Sequence, residues 1–195
     1  MINDLKNFFR ENGLISAIYI ILFVIITNAV FTLYYRTLLL ENAATKQQVI
    51  EANRSVESMN SFVIMADLGL RGYLIEQDDK LLAPFNGAIG NYQKNFETME
   101  ALLEKQGFEV DKLTPAFNAI DRYMKLVEQM VKMAQSGDVS GAIDILRTDP
   151  GSEAYKQYSP VSSEIFKFEN ELLKIAEENY NGMIIRMMVS QILLI

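Results

Sequence analysis

Two charged side chains and a tyrosine in one short stretch of the chain are the best candidates for a functional site. Asp67 and Arg71 are four residues apart, so that on a helix they share a face and can form an ion pair. Tyr73 follows two residues later and offers a hydroxyl group. Three interpretations stay open: a local ion pair that fixes the adjoining turn, a ligand site lined by Arg71 and Tyr73, or a role in conformational coupling.

The composition excludes several kinds of chemistry. The 195 residues include no histidine and no cysteine, which removes the usual metal ligand, the usual general base and any thiol nucleophile. We therefore expect no catalytic residue, no enzyme activity in this chain, no metal site and no cofactor. With 18 basic against 25 acidic residues, the net charge of −7 has the wrong sign for a protein that binds nucleic-acid phosphates.

One early apolar run is long enough to cross a lipid bilayer. Residues 14–35 carry no charge and would span roughly 33 Å as a helix, against about 30 Å for the hydrocarbon core. The alternative is a cleaved signal peptide. The run is longer than the usual apolar region of a signal peptide, and no small-residue cleavage site follows it. The pattern favours an uncleaved transmembrane helix over 14–35.

The flanking charges predict the orientation of this helix. Lys6 and Arg10 precede it closely, so the positive-inside rule favours a cytoplasmic N-terminus at 1–13 and an external segment at 36–182. A second apolar run, 183–195, would reach only about 20 Å as a helix. We interpret it as the start of a second, truncated transmembrane helix, which makes the chain a fragment of a longer protein; an amphipathic tail is the alternative.

Between the two runs, apolar residues recur every three or four positions, which is typical of helices packed side by side. The four segments with this spacing are 49–73, 85–103, 113–134 and 158–175. Turn residues separate them at 77–79, 107, 136–138 and 149–151, and the last two breaks bracket a short piece at 139–147. Gly87 and Gly90 are expected to mark close helix packing. We predict an all-α fold, an antiparallel four-helix bundle whose first and last helices continue into the transmembrane helices.

Three polar residues interrupt the apolar seams near the predicted membrane surface. Asn42, Thr45 and Asn179 fall in register with the seams, where polar groups weaken packing and can set helix register. We hypothesise that they keep these stalk segments adjustable while the distal bundle stays rigid. Leucine at the three positions is then expected to lock the signalling output.

A longer motif surrounds the Asp67–Arg71 pair. Residues 66–78 read ADLGLRGYLIEQD, and 81–85 read LLAPF. This segment resembles the CHASE family of extracytoplasmic sensory domains, third type, which shows an acidic residue, Gly, then Arg-Gly-Tyr-Leu-Leu, a Gly-Asp turn and Leu-x-Pro-Tyr. The matching positions are Asp67, Gly69, Arg71, Gly72, Tyr73, Leu74, Asp78, Leu82 and Pro84. Gln77 replaces the turn glycine, and Phe85 replaces the tyrosine.

The resemblance implies the signal-input region of a bacterial receptor in the inner (cytoplasmic) membrane, with its sensor domain in the periplasm or outside. Such a region would sit in the lipid bilayer as a homodimer and bind a small molecule or a partner protein. It would pass helix motion to a cytoplasmic module, most often a histidine kinase, with a chemotaxis-type transducer or a cyclic-dinucleotide enzyme as the alternatives. The alternative is a membrane-anchored helical scaffold or accessory subunit with no sensing role. Nothing in the sequence names the ligand.

Overall fold

A computed structural model describes residues 13–193, which form five α-helices and contain no strand. The helices are α1 Gly13–Glu76, α2 Ala83–Gln106, α3 Leu113–Gln135, α4 Val139–Leu146 and α5 Pro150–Leu193. Two short 3-10 turns, Asp79–Leu82 and Val110–Lys112, precede α2 and α3. The all-α prediction is confirmed. The predicted cytoplasmic segment 1–13 lies outside the described residues except for Gly13, and so do the last two residues of 183–195.

The chain divides into two compact units. The core unit is Gln47–Leu173, and the terminal unit combines Met1–Lys46 with Lys174–Ile195.

The helix ends fall at the turns that the sequence predicts. Gly107 directly follows α2 with a φ of 89°, and Gly137 lies two residues after the end of α3 with a φ of 99°. Glycine reaches this left-handed conformation without steric cost. Asp138 caps α4 by accepting a hydrogen bond from the Gly141 amide at 3.0 Å. Gln77, where the family motif has glycine, ends α1 with a φ of 55°.

The hydrophobic interior of the core unit lies along the predicted apolar face of α1. All eight positions predicted for this face are buried: Val49, Ala52, Val56, Met59, Val63, Ala66, Leu70 and Tyr73. Facing aromatic rings from α2 and α3 fill the centre, where Phe96 and Phe117 stack with their ring centroids 3.8 Å apart. The 3.5-residue spacing of α1 therefore identifies its buried face correctly.

One glycine sets how closely α1 and α2 approach. A Cβ atom on Gly69 would lie 2.7 Å from the Cβ of Phe85 and 2.8 Å from its backbone nitrogen. Only a residue without a side chain fits there. Gly90, by contrast, has open space around it, so the expectation that it marks close helix packing is wrong.

The predicted seam of α5 is wrong at its last position. Ile175, the last position of that seam, is 54% exposed, whereas Glu169 and Ala176 are buried. Counting from Tyr158, a straight helix of 3.6 residues per turn returns to the same face near 165, 169, 172 and 176. A repeat of 3.5 residues falls progressively short of 3.6 residues per turn, so it wrongly places Ile175, and not Ala176, on the buried face.

The terminal unit contains the apolar run. The α1 helix holds a window of 18 residues with a mean hydropathy of 2.5, of which 6% is buried. It is the one helix in residues 13–193 that is long and apolar enough to cross a membrane. Its apolar side chains, such as Leu14, Phe23 and Leu33, are exposed. A helix that presents this surface is suited to a lipid environment.

Candidate functional site

The Asp67–Arg71 ion pair predicted from the sequence is present in the core unit. The Arg71 Nε lies 2.5 Å from Asp67 Oδ2, and the Tyr123 hydroxyl of α3 donates a hydrogen bond to Asp67 Oδ1 at 3.1 Å. The carboxylate therefore joins its own helix to α3. The hydrogen bond to Asp67 raises the pKa of Arg71, and burial followed by the Asp67 charge raises the pKa of Tyr123 above its usual range.

The pair itself contributes little to stability. The Arg71 side chain is half-exposed, so solvent screens its attraction to Asp67, and such pairs are worth about 1 kcal/mol or less. The ion pair matters for geometry instead, because it orients the Asp67 carboxylate toward Tyr123 and holds the Arg71 guanidinium beside a cleft.

Tyr73 is not part of this arrangement. It is 5% exposed and belongs to the apolar core, and it does not line the cleft beside Arg71. Residues two apart on a helix point to different faces, so Arg71 and Tyr73 cannot line the same cavity from one regular helix.

The cleft beside Arg71 has a volume of about 440 Å³. Its walls come from α1, from Tyr123 of α3, from Asp149 and from the first turns of α5. Gly151 lies directly against Tyr123, because a Cβ there would come within 3.1 Å of the tyrosine ring. Asp149 has a φ of 52°, in the left-handed region. Tyr123, Asp149 and Gly151 are not among the predicted site residues, and the one local signal for them in the sequence is the Asp-Pro-Gly turn at 149–151.

A second feature that sequence reasoning missed is a buried acid in α5. Glu169 is 0% exposed, its Oε1 has no hydrogen-bond partner, and its Oε2 accepts a 3.4 Å hydrogen bond from Gln106 Nε2. Burial raises the pKa of Glu169 to about 7, while the Gln106 hydrogen bond acts in the opposite direction. The Oε1 atom of Gln106 is also buried without a partner.

The three stalk positions lie together in the terminal unit. Asn42, Thr45 and Asn179 all line one polar cleft of about 470 Å³. The Asn42 Nδ2 donates to the Ala176 carbonyl at 2.7 Å, which joins α1 to α5, whereas the Thr45 hydroxyl donates to the Glu41 carbonyl of its own helix. Of the three, Asn42 makes the bond that holds these two segments in register.

No group of three or more acidic residues gathers as a metal site within residues 13–193. The candidate functional features of residues 13–193 are the Arg71 cleft, the buried Glu169 and the polar stalk cleft.

Comparison with family models matches the CHASE3 domain over residues 42–179, which places this part of the chain in the class of extracytoplasmic sensory domains of receptors. The chain belongs to the CHASE3 domain family, which confirms the resemblance seen in residues 66–85. Neither the search of curated proteins nor the search of solved structures returned a match.

Proposed function

We propose that this chain is the signal-input region of a bacterial inner-membrane receptor, and that it passes helix motion to a cytoplasmic histidine kinase module. The observation that carries the proposal is the CHASE3 match over 42–179 together with the bounds of α1, Gly13–Glu76. The helix that forms the first buried face of the sensor domain also contains the apolar run 14–35. A change in the sensor domain therefore has a direct route to the bilayer.

Contacts inside the core unit support an antiparallel four-helix bundle. On α1 and α2, Ser55 contacts Asn95, whose Nδ2 donates to the Ser55 carbonyl at 2.7 Å, and Gly69 lies against Phe85. The later residue of α1 thus meets the earlier residue of α2, which is the order that antiparallel helices give.

The pair of α3 and α5 follows the same order. Lys112, just before α3, pairs with Glu164 at 2.7 Å, and Tyr123 lies against Gly151. In an antiparallel bundle the first and last helices reach the same end, so α1 and α5 would both lead toward the membrane. Sliding or rotation of one against the other is a movement that packed helices transmit. We also propose that the receptor is a homodimer.

Cysteine labelling tests the membrane topology that this function requires. The chain has no cysteine, so every label reports the introduced site. Asp79→Cys places a thiol in the exposed turn before α2, and Lys6→Cys places one before the apolar run. We expect a membrane-impermeant maleimide to label Asp79→Cys in intact spheroplasts, and to label Lys6→Cys only after the membrane is opened.

The opposite labelling pattern would contradict the proposed orientation. Release of the Asp79→Cys protein into the soluble fraction, with the apolar run removed, would show a cleaved signal peptide instead of an anchor. Neither result is compatible with a receptor that signals through α1.

A further inference from the structure

The cleft beside Arg71 is shared by the two helices that would carry a signal. Asn60, Ile64 and Leu68 line it from α1, and Ser152 and Tyr155 line it from the start of α5. Anything bound there touches both helices at once. Binding would therefore favour one relative position of α1 and α5 over another.

One wall of the cleft is apolar and open to solvent. Ile64, Leu68 and Tyr155 are each at least half exposed, although other apolar residues of the same helices are buried. Exposed apolar side chains gathered around a cavity are typical of a binding surface, since covering them removes apolar area from water.

The polar side of the cleft carries a net charge of −1, because the carboxylates of Asp67 and Asp149 face one guanidinium, that of Arg71, whose pKa both of them raise. Asp67 already receives a hydrogen bond on each oxygen, from Tyr123 and from Arg71, so its charge is balanced by the guanidinium. Asp149 lines the same cleft and forms no ion pair within residues 13–193. Its backbone is held in place by a 3.0 Å hydrogen bond from its amide to the Leu146 carbonyl. The exposed carboxylate of Asp149 therefore lies at the rim of a cleft whose other wall is apolar.

We propose that this cleft binds a small organic cation with an apolar body. An ammonium group would pair with Asp149, and the apolar body would cover Ile64, Leu68 and Tyr155. The tyrosine ring adds attraction for the cation through its π face. This proposal rests on the proposed function, because it names the chemical class of the signal that the sensor domain receives.

Calorimetric titration of the full chain in phosphatidylcholine nanodiscs tests the proposal. The probe is 2-phenylethylammonium, with 2-phenylethanol as a neutral analogue and 3-phenylpropanoate as an anionic one, each corrected for empty nanodiscs. We expect the cation to bind about fivefold more tightly than the alcohol, which is the value of a partly exposed ion pair, and the anion to bind most weakly.

Asp149→Asn identifies the residue responsible. Asparagine tolerates the left-handed backbone conformation at this position, so the variant removes the charge and keeps the fold. We expect it to bind the cation about fivefold more weakly and the alcohol unchanged. Asp144→Asn is the matched control, because Asp144 is exposed, pairs with Arg147 and does not line the cleft.

Three results would overturn the proposal: equal affinity for the cation and the alcohol, unchanged cation affinity in Asp149→Asn, or no binding by the wild-type chain. If the wild-type chain binds nothing and Leu68→Glu splits a dimer in sedimentation, the apolar wall is instead covered by a second copy. Correct cysteine labelling together with any of these results would overturn the cation site alone and leave the proposed receptor topology standing.

Discussion

Replacing the buried Glu169 by glutamine is expected to stabilise the protein, and by an amount that depends on pH. The folded chain buries this carboxyl group and raises its pKa from about 4.5 to about 7. The folded state therefore binds the proton more tightly than the unfolded state does. As pH rises from about 4.5 to about 7, the folded state loses stability, and above that range the penalty is constant.

The size of the penalty follows from the shift. One unit of pKa corresponds to 1.36 kcal/mol, so burial of Glu169 lowers the free energy of unfolding by up to about 3 kcal/mol at pH 8. At pH 5 the same burial lowers it by about 1 kcal/mol. The Glu169→Gln variant keeps the shape and stays neutral. Its free energy of unfolding should be higher than that of the wild-type chain by about 2–3 kcal/mol at pH 8, and by less than half of that amount at pH 5.

Thermal unfolding of the full chain in detergent, followed by circular dichroism at the two pH values, measures this difference. At about 2–4 °C per kcal/mol, the variant should melt about 4–12 °C higher at pH 8. Glu171→Gln, an exposed acid one half-turn along the same helix, is the matched control and should change the midpoint by about 1–2 °C at most. A Glu169→Gln variant that is less stable at pH 8, or whose advantage is the same at both pH values, would refute the reasoning.

Gly69→Ala is expected to lower the unfolding free energy by about 2–3 kcal/mol, because the new Cβ would collide with the α2 backbone. Gly90→Ala should raise the unfolding free energy by about 0.5–1 kcal/mol, because Gly90 has open space around it and alanine is the better helix former. Equal effects of these two variants in thermal unfolding would contradict the packing. Gln77→Gly should stabilise by about 0.5–1 kcal/mol, since glycine relieves the φ of 55°; a lower melting midpoint would contradict this. Asn42→Leu removes the 2.7 Å bond to the α5 backbone in the terminal unit and should hold the kinase output of the full receptor at one level. Output that still varies with conditions as in the wild type would contradict the stalk hypothesis.

Local sequence patterns predicted most of the fold because they report on local physics. The seam of α1 keeps a 3.5-residue spacing from Val49 to Tyr73, and every one of these positions is buried. Turn residues such as Gly107 and Gly137 end helices because their positive φ angles suit glycine. The Asp67–Arg71 pair was predictable for the same reason, since a spacing of four defines its geometry on any helix.

The parts that sequence reasoning missed depend on distant contacts. Tyr123 and Asp149 reach the Arg71 cleft only through the packing of α3 and α5, and no residue spacing along the chain predicts that packing. Glu169 is not on the predicted 3.5-residue seam, although a rotation of 3.6 residues per turn brings it inside. Burial of an acid is decided by its neighbours, here Gln106, and not by its own type.

The mass of the native protein tests the receptor proposal most directly. Membranes of the source organism, blotted with an antibody against residues 47–173, should show a band far above the 22.2 kDa of this chain. Mass spectrometry of that band should then find a histidine kinase module in the same polypeptide. A native band at 22.2 kDa would contradict direct transmission to a linked kinase and would favour an accessory subunit or scaffold.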